Sequence, residues 1–253
     1  YSTTSGVVAA LFAIMTKVGV YSIIRVYTLI FGADANELAL VAHDWLWVMG
    51  LLTMLAGALG ILAARDLRLM VAYLVVISVG TILTAYSLFS TQTTGAALFY
   101  LVHSTFVTGA LFLLADVMAF ERGKTASRIV SGKQMANHST YAVMFLVAAV
   151  AVIGLPPLSG FVSKLMILES ASANGHNFWL WAAIIGATFI MLVAVTRAGS
   201  KMIWHTLSGK PSEQSAPLGK RAALASLLLL SLLMTVFAHP IQQYTQSVAD
   251  QLE

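Results

Sequence analysis

Cysteine is absent from the 253 residues, which removes disulfide frameworks and thiolate metal sites whatever compartment the loops face. Charge is almost as scarce. Only 9% of residues are charged against 59% hydrophobic, and the mean hydropathy is +0.86, whereas a water-soluble domain devotes about a quarter of its residues to charge. Such a chain cannot cover a soluble surface with polar groups. The basic n-region and cleavage site of a signal peptide are also missing. The chain opens at Tyr1 without an initiator methionine and turns apolar at Gly6, so it reads as a fragment of a longer protein. Nor is there a basic stripe: the net charge of +4 comes from residues scattered singly among apolar runs, which argues against nucleic acid as a partner.

What remains is long hydrophobic runs. A membrane-spanning helix needs about 20 mostly apolar residues, because each adds about 1.5 Å against a hydrocarbon core of about 30 Å. Seven stretches meet that test, approximately 6–31, 45–64, 69–89, 95–120, 140–171, 178–204 and 222–238. The runs are too long for strands, and lipid tolerates only helices or closed barrels. The expected fold is therefore an all-α polytopic membrane bundle of about seven transmembrane helices, forming a single domain over residues 1–253 with the lipid bilayer as its solvent.

The connections orient the bundle, since short cytoplasmic loops are enriched in Lys and Arg. Arg65 and Arg68 follow the second span; Arg122, Lys124, Arg128 and Lys133 follow the fourth; Arg197, Lys201, Lys210, Lys220 and Arg221 follow the sixth. Eleven of the fourteen basic residues thus belong to alternate connections. The other connections, including the tail after His239, carry no Lys or Arg. The basic side is expected to be cytoplasmic, with the first helix starting inside and the C-terminus ending outside. The Gly/Pro/Ser/Lys segment from Ser208 to Gly219 is the one linker-like stretch, and it separates no domains.

Lys17, Arg25 and Lys164 lie within the spans. Arg25 stands in the outer part of its helix, where its stem can snorkel toward headgroups or meet Asp34 or Glu37. Lys17 stands about ten residues into its helix, near the bilayer midplane. An ammonium there costs about 2.5–3.5 kcal/mol on insertion scales, so it should face the bundle interior or a polar cavity; the plainer alternative is a structural lysine bonded to backbone carbonyls. Lys164 follows a break. Its apolar stretch is too long for one straight span and contains Gly154-Leu155-Pro156-Pro157-Leu158-Ser159-Gly160, in which two prolines remove two helix donors and the flanking glycines are expected to loosen it further. Discontinuous helices of this kind mark ion sites in transporters, although a proline kink used only for packing is the simpler explanation of the motif. His103, in Phe99-Tyr100-Leu101-Val102-His103-Ser104-Thr105, is again near mid-depth. A lone histidine in a helix is commonly a satisfied interhelical hydrogen-bonding group, but histidine exchanges protons near neutral pH. A Lys17/His103/Lys164 series with intervening water would pass protons. Asp116 and Glu169 lie near helix ends, where hydration or loop pairing explains them.

Four segments carry a resemblance. Met15-Thr16-Lys17-Val18-Gly19-Val20-Tyr21 with Arg25, then Ala64-Arg65-Asp66-Leu67-Arg68-Leu69-Met70-Val71-Ala72-Tyr73, then Leu101-Val102-His103, then Gly154 through Lys164 together resemble the antiporter-like subunits shared by Mrp cation/proton antiporters and respiratory complex I. Within that family the similarity is greatest to the D-type subunits of the Mrp (Pha) antiporters. The resemblance implies a core of fourteen helices with two inverted five-helix repeats, of which this chain supplies the eighth helix onward. It also implies that Lys17 connects two half-channels, that His103 is a relay and that Lys164 is the terminal site on the second broken helix. The first half-channel's glutamate and lysine would fall before Tyr1. Ser78 stands where many complex I relatives carry a further histidine.

The expected function is a proton-conducting subunit of a multi-subunit Na⁺(K⁺)/H⁺ antiporter in the plasma membrane, working with other subunits and handling H⁺ and Na⁺ or K⁺, with no cofactor and no metal. Alternatives are a proton-pumping subunit of complex I or of a membrane-bound hydrogenase, and a membrane scaffold that only packs partner subunits. Loss of Lys17 and Lys164 would leave a scaffold indifferent.

Overall fold

The computed structural model describes residues 5–31, 43–173, 177–207 and 212–252. Among these residues six helices are long and apolar enough to cross a membrane: α1 (Gly6–Ile30), α2 (His43–Ala63), α3 (Leu67–Tyr86), α4 (Thr91–Arg122), α7 (Asn177–Gly199) and α8 (Leu218–Val236). Between α4 and α7 the long apolar stretch is divided into α5 (His138–Ile153) and α6 (Ser159–Ala173), two halves of one broken span. The protein is thus an all-α, multi-pass membrane bundle with seven crossings among the described residues. Asp34 and Glu37, the partners considered for Arg25, lie outside them, as do Ser208–Pro211 of the linker-like stretch; Arg25 itself is on the exposed face of α1.

Local chemistry sets the ends. Ser5, Asp66 and Ser90 cap α1, α3 and α4 by accepting from Val8, Arg68 and Thr93 backbone N–H groups, which satisfies donors that a helix start leaves bare. α5 stops at Gly154, whose φ of 81° and ψ of 47° lie in the left-handed region that favours glycine. α7 runs on through a π turn, Ser200–Trp204.

The tail after His239, counted above among the connections that carry no Lys or Arg, is helical and belongs to α9 (Ala238–Leu252). A search for apolar runs passes over it, because its buried positions Thr245, Ala249 and Leu252 recur at helical spacing with Gln, Ser and Asp between them.

α4 is the axis of the bundle. It packs against α1, α3, α5, α6, α8 and α9, and from Thr93 to Met118 nearly every position is buried or half-buried. At 32 residues it is about 48 Å long by a rise of about 1.5 Å per residue, longer than the hydrocarbon core, so its C-terminal turns reach the membrane edge. The α2–α3 pair is held close by small residues: a Cβ on Gly57 would stand 2.7 Å from Ile77, and one on Gly80 would stand 2.6 Å from Met54. Close backbone approach of this kind drives helix association where lipid is as apolar as the side chains.

Candidate functional site

The three basic connections meet at one end of the bundle. The Leu67 N–H donates to the Ser127 carbonyl at 2.8 Å and Ile129 N–H to Arg65 carbonyl at 2.9 Å, while Leu207 N–H donates to Gly132 carbonyl at 2.9 Å. Two carboxylates from α4 organise this end. Asp116 accepts from the Gly6 backbone at 3.0 Å, from Arg68 at 2.6 Å and from Lys220 at 2.6 Å, which ties the starts of α1, α3 and α8 to α4. Glu121 accepts from the Asn137 backbone and side chain, each at 3.2 Å, from the Tyr141 hydroxyl at 2.8 Å and from Ala216 N–H at 3.1 Å. Arg122 closes the connection after α4 by donating to the carbonyls of Ala126, Arg128 and Val130. Asp116 is therefore paired with basic residues of the connections, as its place near a helix end suggested.

Lys17, His103 and Lys164 form a different environment. Their relative exposures are 2%, 2% and 7%, so all three face the bundle interior. The Lys17 ammonium, on α1, donates to the Ser78 hydroxyl of α3, and Ser78 in turn donates to the Val75 carbonyl at 2.7 Å. His103 Nδ1, on α4, lies 2.8 Å from the Ser159 hydroxyl at the start of α6. The Lys164 ammonium, on α6, donates to the Ile153 carbonyl at 2.7 Å and to the Thr188 hydroxyl of α7 at 2.8 Å. Ile153 is the last residue of α5, so Lys164 reaches back across the break to a carbonyl that the interrupted helix leaves without its usual donor.

The glycines of the break do more than loosen it. A Cβ on Gly154 would stand 2.9 Å from the Lys164 side chain, and one on Gly160 would stand 2.9 Å from His103 Nε2 and collide with the Ala151 carbonyl oxygen. Their lack of a side chain gives Lys164 and His103 room to pack into the broken segment. Tyr100 lies beside His103, with ring centroids 6.0 Å apart and planes tilted by 38°. A cavity of about 230 Å³ opens beside Lys164, walled mainly by Phe161, Leu165, Trp181 and Thr188. Neither His103 nor Lys17 lines it; each of the three groups instead meets a side-chain hydroxyl of a neighbouring helix.

Among the described residues, no carboxylate pairs with Lys17 or Lys164: both ion pairs found there belong to Asp116. Nor does any group of His, Asp or Glu among them suit a metal ion. Sequence reading singled out the ionisable groups but not their partners Ser159 and Thr188, and it noted Ser78 only as a marker of subtype. The available signal was the occurrence of Ser or Thr near the middle of otherwise apolar spans.

Residues 1–191 match the family described as NADH:quinone oxidoreductase/Mrp antiporter, TM. Over its whole length the chain is 30% identical to a probable K(+)/H(+) antiporter D-type subunit of Rhizobium meliloti (strain 1021) and 32% identical to a Na(+)/H(+) antiporter D-type subunit of Bacillus subtilis (strain 168), covering 52% and 50% of those proteins. The chain spans about half the length of the curated relatives it matches. Among solved structures, a chain of the Mrp complex from Dietzia sp. DQ12-45-1b superimposes with a TM-score of 0.80 at 22% identity, over 96% of this chain and 52% of that one, a likeness of fold.

Proposed function

Because the chain belongs to the NADH:quinone oxidoreductase/Mrp antiporter transmembrane family, we propose that it is the proton-conducting part of a subunit of a multi-subunit Na⁺(K⁺)/H⁺ antiporter, and that protons pass along Lys17, His103 and Lys164. It is a transporter component, not an enzyme. The observation that carries this reading is the pairing of all three buried groups with neutral partners. A lysine beside a carboxylate is held charged by its neighbour, whereas a hydroxyl both donates and accepts and can satisfy the amine as well as the ammonium. Like charges close together in a medium of low dielectric repel, so a proton arriving at one site favours release from the next. The proton moves while each side chain stays anchored.

The names of the Rhizobium and Bacillus relatives, K(+)/H(+) and Na(+)/H(+) antiporter subunits, support exchange of a monovalent cation for H⁺ and point to other subunits as partners. The gathering of Arg65, Arg68, Arg122 and Lys220 at one end supports a cytoplasmic basic side in the plasma membrane, with α1 starting inside and α9 ending outside. The family also includes membrane subunits of NADH:quinone oxidoreductases, the second reading. The genes beside this one distinguish the two, as small antiporter subunits or as quinone-reducing ones.

Lys164 gives the sharpest test. In the complete complex reconstituted in vesicles, Lys164→Ala is expected to abolish cation-driven proton movement at normal assembly. Lys164→Arg is expected not to restore it, since a guanidinium does not release its proton in a protein. Wild-type transport by an assembled Lys164→Ala complex would refute the relay.

A further inference from the structure

Ser159 sits at a junction that the relay itself does not require. It is the first residue of α6 and fully buried, and its hydroxyl has two neighbours: His103 Nδ1 at 2.8 Å, and the Ser231 carbonyl of α8, to which it donates at 3.1 Å. One hydroxyl proton faces two acceptors, and the protonation of Nδ1 decides which receives it. When Nδ1 carries a proton, the imidazole donates to Ser159 Oγ and the Ser159 hydroxyl donates to Ser231. When Nδ1 is bare, the hydroxyl turns and donates to the ring instead. Ser231 tolerates the loss, because its carbonyl also accepts from the Thr235 hydroxyl at 3.4 Å.

Resting on the relay reading, we infer that Ser159 is a positioning residue for His103 whose hydroxyl turns with the protonation of the imidazole and carries that state to α8 through the Ser231 carbonyl. The surroundings favour such a device. On its other side His103 Nε2 lies close against Gly160, where an added Cβ would stand 2.9 Å from it, which limits the room in which the ring can turn to find another partner for Nδ1. His103, Ser159 and Ser231 are each no more than 2% exposed, and a buried polar atom left without a partner is unfavourable. The charged and titratable groups facing His103 are Lys164 of α6, Lys17 of α1 and Tyr100 on its own helix. None of them hydrogen-bonds Nδ1. Ser159 is thus the group that meets Nδ1 in both of its states, and it links three helices in doing so.

The test uses the complete complex in vesicles with three variants: His103→Ala, Ser159→Ala and Ser159→Cys. Both Ser159 variants remove or weaken the hydroxyl with little change of volume; if Ser159→Ala fails to assemble, the cysteine variant, a poor hydrogen-bond donor and acceptor, reports instead. The expected result is loss of transport in His103→Ala. In the Ser159 variants proton movement should slow by about tenfold, the size expected for one unmade buried hydrogen bond. Their pH profile should be displaced, and the infrared bands of the histidine ring should change on a pH jump. Two results would overturn the inference while leaving the relay standing: Ser159 variants with wild-type rate and pH profile, or a slowed rate with unchanged profile and ring bands, which would mark a packing defect. Wild-type transport by His103→Ala would bring down the relay itself and the role of Ser159 with it.

Discussion

The basic end of the bundle and its middle hold cations in opposite ways. At the end, Arg68 and Lys220 share the Asp116 carboxylate, and Glu121 gathers four donors, three from two connections and one from Tyr141 of α5. In the middle, Lys17, His103 and Lys164 meet hydroxyls and backbone carbonyls, with no carboxylate among their partners in the described residues. A fixed counter-charge stabilises one protonation state and makes a good fastener. A hydroxyl accommodates both states and makes a poor one. The same residue types therefore hold the fold together in one region and, on the proposed relay, change charge in the other.

The largest expected effect belongs to the fastening end. Asp116→Ala leaves Arg68 and Lys220 without their shared partner and releases the start of α1 from α4. Removing one member of a fully buried ion pair costs about 3–5 kcal/mol; the Lys220 side chain is 35% exposed, so the loss here is smaller, and clearly less intact complex than wild type should survive detergent extraction and heating. A variant as heat-stable as the wild type would show that the two regions do not differ as described. The smallest effect sharpens which region faces which side. Gln92, at the start of α4, and Lys124, just past its end, are both exposed, and the chain has no native cysteine. Single cysteines there should leave transport unchanged and label from opposite faces of the membrane, Lys124 from the cytoplasm. Labelling of both from one face would undo the orientation.

The spans were legible in the sequence because hydrophobic length is a local property, and so was the break, since Pro156 and Pro157 interrupt the apolar stretch wherever the rest of the chain lies. Burial of Lys17 also followed from position alone: a charge at mid-depth has nowhere else to go. The partners were not legible. Ser78, Ser159 and Thr188 look like any other hydroxyl in an apolar run until α3, α6 and α7 are placed against the lysines and the histidine, respectively 61, 56 and 24 residues away in the chain. The glycines show the same limit. Gly154 and Gly160 read as breakers, and only packing reveals that they make room for Lys164 and His103. α9 was missed because it lies outside the apolar runs by which spans are found, and its amphipathic spacing has meaning only against the N-terminal turns of α4.

The central claim is that the mid-membrane lysines work because no carboxylate holds them. Proton movement in vesicles by a complex carrying Thr188→Asp tests it most directly, with Thr188→Asn as the neutral control of matching size. Thr188 already lies 2.8 Å from the Lys164 ammonium, so an aspartate there supplies the counter-charge that Asp116 supplies at the basic end. The account predicts that the aspartate variant assembles but no longer moves protons, while the asparagine variant keeps a substantial part of the wild-type rate. Wild-type transport with the aspartate in place would contradict it.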